Sequence, residues 1–206
     1  MSVAGLILAA GESTRMGSPK ALLEFRGETF LDRLTRVFSQ FCSPIVVVVG
    51  AQADDIRSGV KRPERAIFAE NANYQLGQLS SMQCGLRMLA GPGEAGGFAC
   101  QPARERIEGV LFTLVDHPNV QASTIAALLE QPRPLLAIPR YQGRRGHPIY
   151  FGAGLISEFL SIPPDSQAKA VIIRHFDNTR SVDVDDPGIL DDVDDAAAYR
   201  RLIETA

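Results

Sequence analysis

The chain lacks the features that most quickly narrow a function. It has no surplus of positive charge: Lys and Arg number 21 against 24 Asp and Glu, for a formal net charge of −3. Neither nucleic acid nor an anionic membrane surface is therefore an expected partner, although a local cationic site for a small anion stays open. No apolar run is long enough to cross a bilayer, and the first one, Val3 to Ala10, lacks the basic lead-in of a secretory signal. Cysteine is scarce: Cys42, Cys84 and Cys100 form an odd set without metal-ligand spacing. Free thiols in a reducing, cytoplasmic compartment are expected, each a small core residue rather than a nucleophile. Internal repeats are missing too.

What remains is a balanced globular composition. The 206 residues are 45% apolar and 22% charged, enough for a sizeable core, and one domain over 1–206 is expected. Three apolar, β-branched runs bounded by Gly, Pro or Asp read as buried strands: Val3–Leu8, Pro44–Gly50 and Gly109–Asp116. Weaker strands are Arg65–Ala69, Pro134–Pro139 and His147–Phe151. Between them, helical spacing covers Thr29–Phe41, Ser80–Leu89, Ala122–Leu129, Gly154–Leu160, Ser166–His175 and Asp195–Ile203. The alternation predicts an α/β class with a mostly parallel sheet and right-handed crossovers. Ala90–Glu108, rich in Gly, Ala and Pro, reads as a long surface loop.

The stretch LAAGESTRMGSPKALL, Leu8–Leu23, leaves the first strand at its carboxyl end, where open α/β sheets bind ligands. Ala9, Ala10 and Gly11 lack bulk, so a ligand can approach the backbone, and Arg15 and Lys20 bring two cations suited to phosphates. It is neither a Walker loop nor a dinucleotide fingerprint, since Gly-Lys-Ser/Thr and the G-x-G-x-x-G spacing are both missing. A surface turn with solvated charges accounts for the same composition.

The longer stretch LAAGESTRMGSPKALLEFRGETFLDR resembles the opening signature of the MobA-like nucleotidyltransferases. More narrowly, it is similar to the branch that contains the molybdenum cofactor cytidylyltransferase. The resemblance implies a Rossmann-like three-layer α/β/α domain. It implies that the Leu8, Ala9, Ala10 and Gly11 backbone binds nucleotide, and that Arg15 and Lys20 hold the triphosphate and stabilise the leaving pyrophosphate.

Four further stretches extend the likeness to about Leu202. NANYQLGQLSSMQCGL, Asn71–Leu86, is similar to a family loop contacting base and ribose, which would give Gly77, Ser80 and above all Ser81 that role. On the residues alone, Gly77–Ser81 is a loop and Ser80 or Ser81 caps the following helix. In FTLVDHPNV, Phe112–Val120, a buried strand ends in Asp116, a turn residue by composition and a magnesium ligand by resemblance. His117 stands where Gln is usual, and reads either as exposed or as touching the acceptor. GHPIYF follows Arg140, Arg144 and Arg145; the resemblance makes Arg145, Gly146 and His147 part of an acceptor-binding lip, while a solvated basic hairpin is the plainer reading. In GILDDVDDAAAYRRL the family's two acids fall on Asp192 and Asp194, with Asp194 the second magnesium ligand. Asp195 and Ala196 depart from the usual Thr and Pro. Asp195 can still cap a helix, and Asp191, Asp192 and Asp195 also suit a helix N-terminus.

The implied reaction is Mg²⁺-dependent nucleotidyl transfer, with Arg15, Lys20 and Asp116 as its catalytic groups. CTP and molybdopterin are the expected substrates, giving molybdopterin cytosine dinucleotide and pyrophosphate, with a molybdenum hydroxylase as client. GTP, a phosphorylated sugar as acceptor, and a non-enzymatic nucleotide or cofactor carrier are the alternatives. An NAD(P) oxidoreductase is disfavoured by the missing glycine fingerprint.

Overall fold

The core strands carry alternating faces of two apolar layers. In strand β1 (Ser2–Ala9), Val3 and Ile7 face one layer, and Ala4, Leu6 and Leu8 face the other. Strand β4 (Ile45–Val49) does the same, with Val47 and Val49 on the first face and Val46 and Val48 on the second. A period of two with both faces apolar demands cover on both sides. The computed structural model, which describes residues 2–13, 16–91 and 107–204, supplies it.

The first face is covered by α1 (Phe30–Phe38), α2 (Ala53–Gly59), α4 (Ala122–Leu128) and α7 (Ala196–Glu204). The second is covered by α3 (Gln78–Ala90), α5 (Ile156–Ser161) and α6 (Lys169–Arg174). This is the expected three-layer α/β/α arrangement. Helix α1 buries Phe30, Leu31, Leu34 and Phe38 completely, each contributing roughly 1.5–3 kcal/mol of apolar transfer. Its first turn is capped reciprocally: Asp32 N donates to Thr29 Oγ1, which donates to the Asp32 carboxylate. Helix α3 lies close on β1 because Gly85 faces Leu6, where a Cβ would collide.

Two more strands complete the parallel core: β5 (Ile67–Glu70) beside β4, and β6 (Ile107–Leu114) beside β1. On the far side of β6 the sheet turns mixed. Strand β9 (Ile149–Gly152) lies antiparallel between β6 and β7 (Leu136–Tyr141). Strand β10 (Thr179–Asp183) then pairs parallel with β7, which also takes β8 (Arg144–Arg145). The strand order is β10-β7-β9-β6-β1-β4-β5. A small ribbon, β2 (Glu24–Phe25) and β3 (Glu28–Thr29), precedes α1.

Several expectations shift. The third apolar strand stops at Leu114, so Asp116 lies in the turn beyond it. The helix expected from Ser166 starts at Lys169. Helix α3 begins at Gln78, so Gly77–Ser81 is not a loop, and Ser80 and Ser81 sit inside the first turn rather than capping it. Ala90 ends α3, and Ile107 and Glu108 belong to β6; the rest of the predicted Ala90–Glu108 loop, apart from Gly91, lies outside the described residues, as does Cys100. Helix α2, the ribbon, β8 and β10 have no counterpart among the expected elements. Among the described residues no helix is long and apolar enough to cross a membrane.

Candidate active site

A cleft of about 470 Å³ opens at the carboxyl ends of β1 and β6. One wall is the β1 exit, Leu8 to Gly11, where a Cβ on Gly11 would point into open space. The opposite wall is the start of α3, with Gly77, Gln78 and Ser81, and Tyr74 before it. Gly77 has φ of +108°, which a side chain would strain, so the chain turns sharply into the helix there. Lys20, Asp116 and Asp194 close one end.

That end is assembled from three distant segments. Lys20 follows Pro19 in a short 3₁₀ turn, and its backbone N–H donates to Ser13 Oγ at 3.1 Å. Its Nζ reaches Asp194 Oδ1 at 2.6 Å and Asp116 Oδ2 at 3.4 Å. Two hydrogen bonds to backbone carbonyls fix the Asp116 turn: the Arg33 side-chain Nε of α1 donates to Pro118 O at 2.8 Å, and Val193 N donates to Asp116 O at 3.1 Å. The second bond brings the Asp192–Asp194 loop against Asp116. Asn119 Nδ2 adds a bond to Asp191 Oδ2 at 2.9 Å. Upstream, buried Asp186 accepts from Gln121 N, Thr124 Oγ1 and Gly188 N, tying the loop's root to α4.

Carboxylate oxygens of Asp116, Asp192 and Asp194 can all lie within 4.8 Å of one another. The electrostatics show how strongly this cluster wants a cation. Burial raises the Asp116 carboxyl above the usual carboxylate range; Lys20 opposes this and Asp194 adds to it. Burial and the charges of Asp116 and Asp194 likewise raise Asp192. Burial works against the Lys20 charge, but the Asp194 hydrogen bond and the two carboxylate charges outweigh it and raise its pKa. Asp116 Oδ1 is buried and has no hydrogen-bond partner among the described residues. An all-oxygen donor set with one idle buried oxygen fits a hard divalent cation such as Mg²⁺ or Mn²⁺. The resemblance selected Asp116 and Asp194 as metal ligands. Asp192, a family acid by the same resemblance and helix N-terminal charge by composition, joins them, whereas Asp195 does cap α7 by accepting from Ala198 N at 2.8 Å.

The acceptor lip is only partly gathered. His117 is buried rather than exposed, and its ring stacks on His147 with centroids 4.6 Å apart. Burial lowers the His117 pKa to about 4 and the His147 pKa to about 3, so both rings are neutral at neutral pH. Gly146 packs against the root of the acid loop, where a Cβ would collide with the Ile189 carbonyl, and His147 N donates to Ile189 O at 3.0 Å. The basic hairpin does not reach the cleft: Arg140 pairs with Asp183, and Arg145 lies over Phe176 at 4.4 Å and bonds Ser181 Oγ at 3.2 Å. Neither these arginines nor Ser80 line it; Ser80 is turned back into the α3 turn. Arg15 lies outside the described residues.

The MobA-like NTP transferase domain matches residues 5–179. A nicotine blue oxidoreductase of Paenarthrobacter nicotinovorans is 30% identical over 214 residues, covering 98% of this chain and 96% of its own. The molybdenum cofactor cytidylyltransferase of Escherichia coli is 24% identical over 191 residues, covering 92% and 89%. In fold, the chain resembles Rv0371c of Mycobacterium tuberculosis, with a TM-score of 0.77, 24% identity and full coverage of both chains. The same mycobacterial protein in complex with manganese gives a TM-score of 0.73 at 23% identity, again with full coverage. The match over residues 5–179 shows that the chain belongs to the MobA-like NTP transferase family and is a nucleotidyltransferase.

Proposed function

We propose that this chain transfers a cytidylyl group from CTP to the phosphate of molybdopterin, forming molybdopterin cytosine dinucleotide and releasing pyrophosphate. One observation carries the reading: Lys20, Asp116 and Asp194 converge at one end of a cleft that the small residues of the β1 exit and the start of α3 also line, with Asp192 beside the two acids. In the reaction an acceptor phosphate oxygen forms a bond to the α-phosphorus. The bond from that phosphorus to the β-phosphate oxygen breaks, and pyrophosphate leaves with the electron pair. The acceptor phosphate is already ionised at neutral pH, so no general base is needed. That fits a site whose two nearby histidine rings are neutral.

Each residue has a positional task. The Leu8–Gly11 backbone and the Gly77–Ser81 turn hold the nucleoside. Lys20 compensates charge on the triphosphate and the departing pyrophosphate, and Arg15 is expected to share that task. Asp116, Asp192 and Asp194 would hold Mg²⁺ or Mn²⁺, which when bound neutralises phosphate charge and draws the reacting groups together. His117 and His147 lie behind Asp116 and buttress the acceptor side. The cytidylyltransferase of Escherichia coli, aligned over most of both chains, supports cytosine and molybdopterin. A molybdenum hydroxylase in the cytoplasm is the matching client.

A second reading follows from the relative at 30% identity that bears an oxidoreductase name. Here the same cleft would hold a redox nucleotide. One experiment separates the two. Pyrophosphate release is measured from CTP, GTP, ATP and UTP with Mg²⁺ or Mn²⁺, with and without molybdopterin, alongside NADPH and NADH oxidation with a quinonoid dye as two-electron acceptor. Release from CTP that needs both molybdopterin and metal is expected. Release from GTP keeps the chemistry and changes the base. NAD(P)H oxidation without pyrophosphate release from any nucleotide overturns the proposal.

A further inference from the structure

The wall opposite the β1 loop holds a hydrogen-bond chain with one proton left over. Asn71 follows β5, is buried, and is held by its backbone N–H to Val49 O at 2.8 Å. Its side-chain Oδ1 accepts from Asn73 N at 3.0 Å. That bond fixes the amide's orientation, because the reversed amide would aim its NH₂ at another N–H. Nδ2 therefore faces α3, where its two protons go to Ser80 Oγ and Ser81 Oγ, each at 3.0 Å.

Each serine accepts from Asn71, so its own proton goes elsewhere. Ser80 donates back into the turn, to Gly77 O at 2.8 Å or Asn73 O at 3.0 Å. Ser81 has no acceptor for its proton among the described residues, and it lines the cleft. A buried hydroxyl proton without a partner is costly, and a ligand acceptor removes that cost. The phosphates belong at the Lys20 end, so the Ser81 end faces the base.

Resting on the nucleotidyltransferase reading, we propose that Asn71 is a positioning residue: it holds the Ser81 hydroxyl as a donor aimed at the nucleobase. This wall therefore offers the base a hydrogen-bond donor for a carbonyl oxygen or an unprotonated ring nitrogen. Asn71 itself touches no substrate. It sets the direction of the group that does.

The test uses Asn71→Asp, nearly the same shape. The carboxylate still accepts from Asn73 N, but its other oxygen accepts from the serines and turns the Ser81 proton away from the cleft. Nucleotide and inorganic tripolyphosphate are titrated by calorimetry with Mg²⁺. Loss of one hydrogen bond raises the Kd of the preferred nucleotide about tenfold. Tripolyphosphate, which has no base, binds as before. Ser81→Ala gives the same nucleotide-only loss, and Asn71→Asp adds nothing in that background; Ser81→Ala alone carries the test if the Asn71→Asp protein melts early. Asn71→Asp binding nucleotide within about twofold of wild type overturns the inference. So do equal losses for nucleotide and tripolyphosphate, or additive losses from the two substitutions. A wild-type protein that binds none of the four nucleotides removes the nucleotidyltransferase reading itself, and this inference with it.

Discussion

The two sides of the cleft are built by different means. The nucleotide wall is made locally: the β1 exit is a continuous stretch of small residues on a parallel strand between two parallel neighbours. The acid side is made at a distance. Asp116 comes from the end of β6, while Asp192 and Asp194 come from a loop beyond β10, joined by the Val193 N to Asp116 O bond. The first depends on backbone and empty space, the second on charges that repel one another until a cation arrives. A backbone wall tolerates side-chain change around it. A charge cluster does not, so the largest effects should fall on the acid side.

Asp116→Ala should break that comparison most severely. It removes the most buried carboxylate of the cluster and its idle oxygen. Turnover should fall by about 10³-fold, roughly 4 kcal/mol of transition-state stabilisation, with the melting temperature retained. Pyrophosphate release and differential scanning calorimetry read the two. Lys20 belongs to both sides and should come next. Lys20→Met should lower turnover by about 10²-fold. It should also raise Mn²⁺ affinity in nucleotide-free protein, because Nζ now occupies Asp194 and Asp116. Mn²⁺ binding followed by electron paramagnetic resonance checks this; weaker Mn²⁺ binding would show that Lys20 supports the cluster rather than competing for it.

The two sides also differ in how far the sequence reveals them. β4 is an unbroken β-branched run, β1 and β6 carry apolar runs close to turn residues, and the small-residue loop is contiguous, so both are legible directly. β10, Thr179–Asp183, is a half-exposed strand of mixed polarity and gives no such signal. Helix α2 buries only Ala53 and Ile56, too little for a helical pattern. Spacing alone does not separate Asp192 from Asp191 and Asp195; only the resemblance put a family acid there, and the Val193 backbone bond brings its loop against Asp116. The turn composition around His117, with Asp116, Pro118 and Asn119 beside it, does not forecast its burial; part of its packing is the His147 ring, contributed by a distant segment. Ser80 and Ser81 read as caps in the sequence because the helix start is set by the Gly77 dihedral rather than by a side chain.

Asp186 tests whether distance alone makes the acid side fragile. Its carboxylate takes three donors in a buried setting. Asp186→Ala should cost about 3 kcal/mol of unfolding free energy and weaken Mn²⁺ binding, while the nucleotide wall keeps its shape. Chemical denaturation and the same Mn²⁺ titration measure both. His147 tests the same side through pH. Burial holds its folded pKa at about 3, below the ordinary value near 6.5 of the unfolded chain. The unfolded state therefore takes up the proton first, and stability falls as pH drops from about 6.5 toward about 3. At pH 5 the cost is about 2 kcal/mol, and His147→Phe should remove that part of the acid sensitivity.

Arg145 should give the smallest effect, and it sharpens the comparison by marking where the acid side ends. The resemblance places it on the acceptor lip. In the structure its guanidinium lies over Phe176 and bonds Ser181, on the β8 and β10 flank, and it does not line the cleft. An exposed cation held by an aromatic ring and a hydroxyl contributes little to the fold, and salt screens it from the triphosphate. Arg145→Ala should therefore leave the Kd for nucleotide within about twofold, together with the melting temperature. A selective rise in KM for the phosphorylated acceptor, with nucleotide binding unchanged, would extend the acceptor surface outward to β8. A loss of nucleotide binding would mean that the cleft's cationic field reaches further than Lys20 and its neighbours.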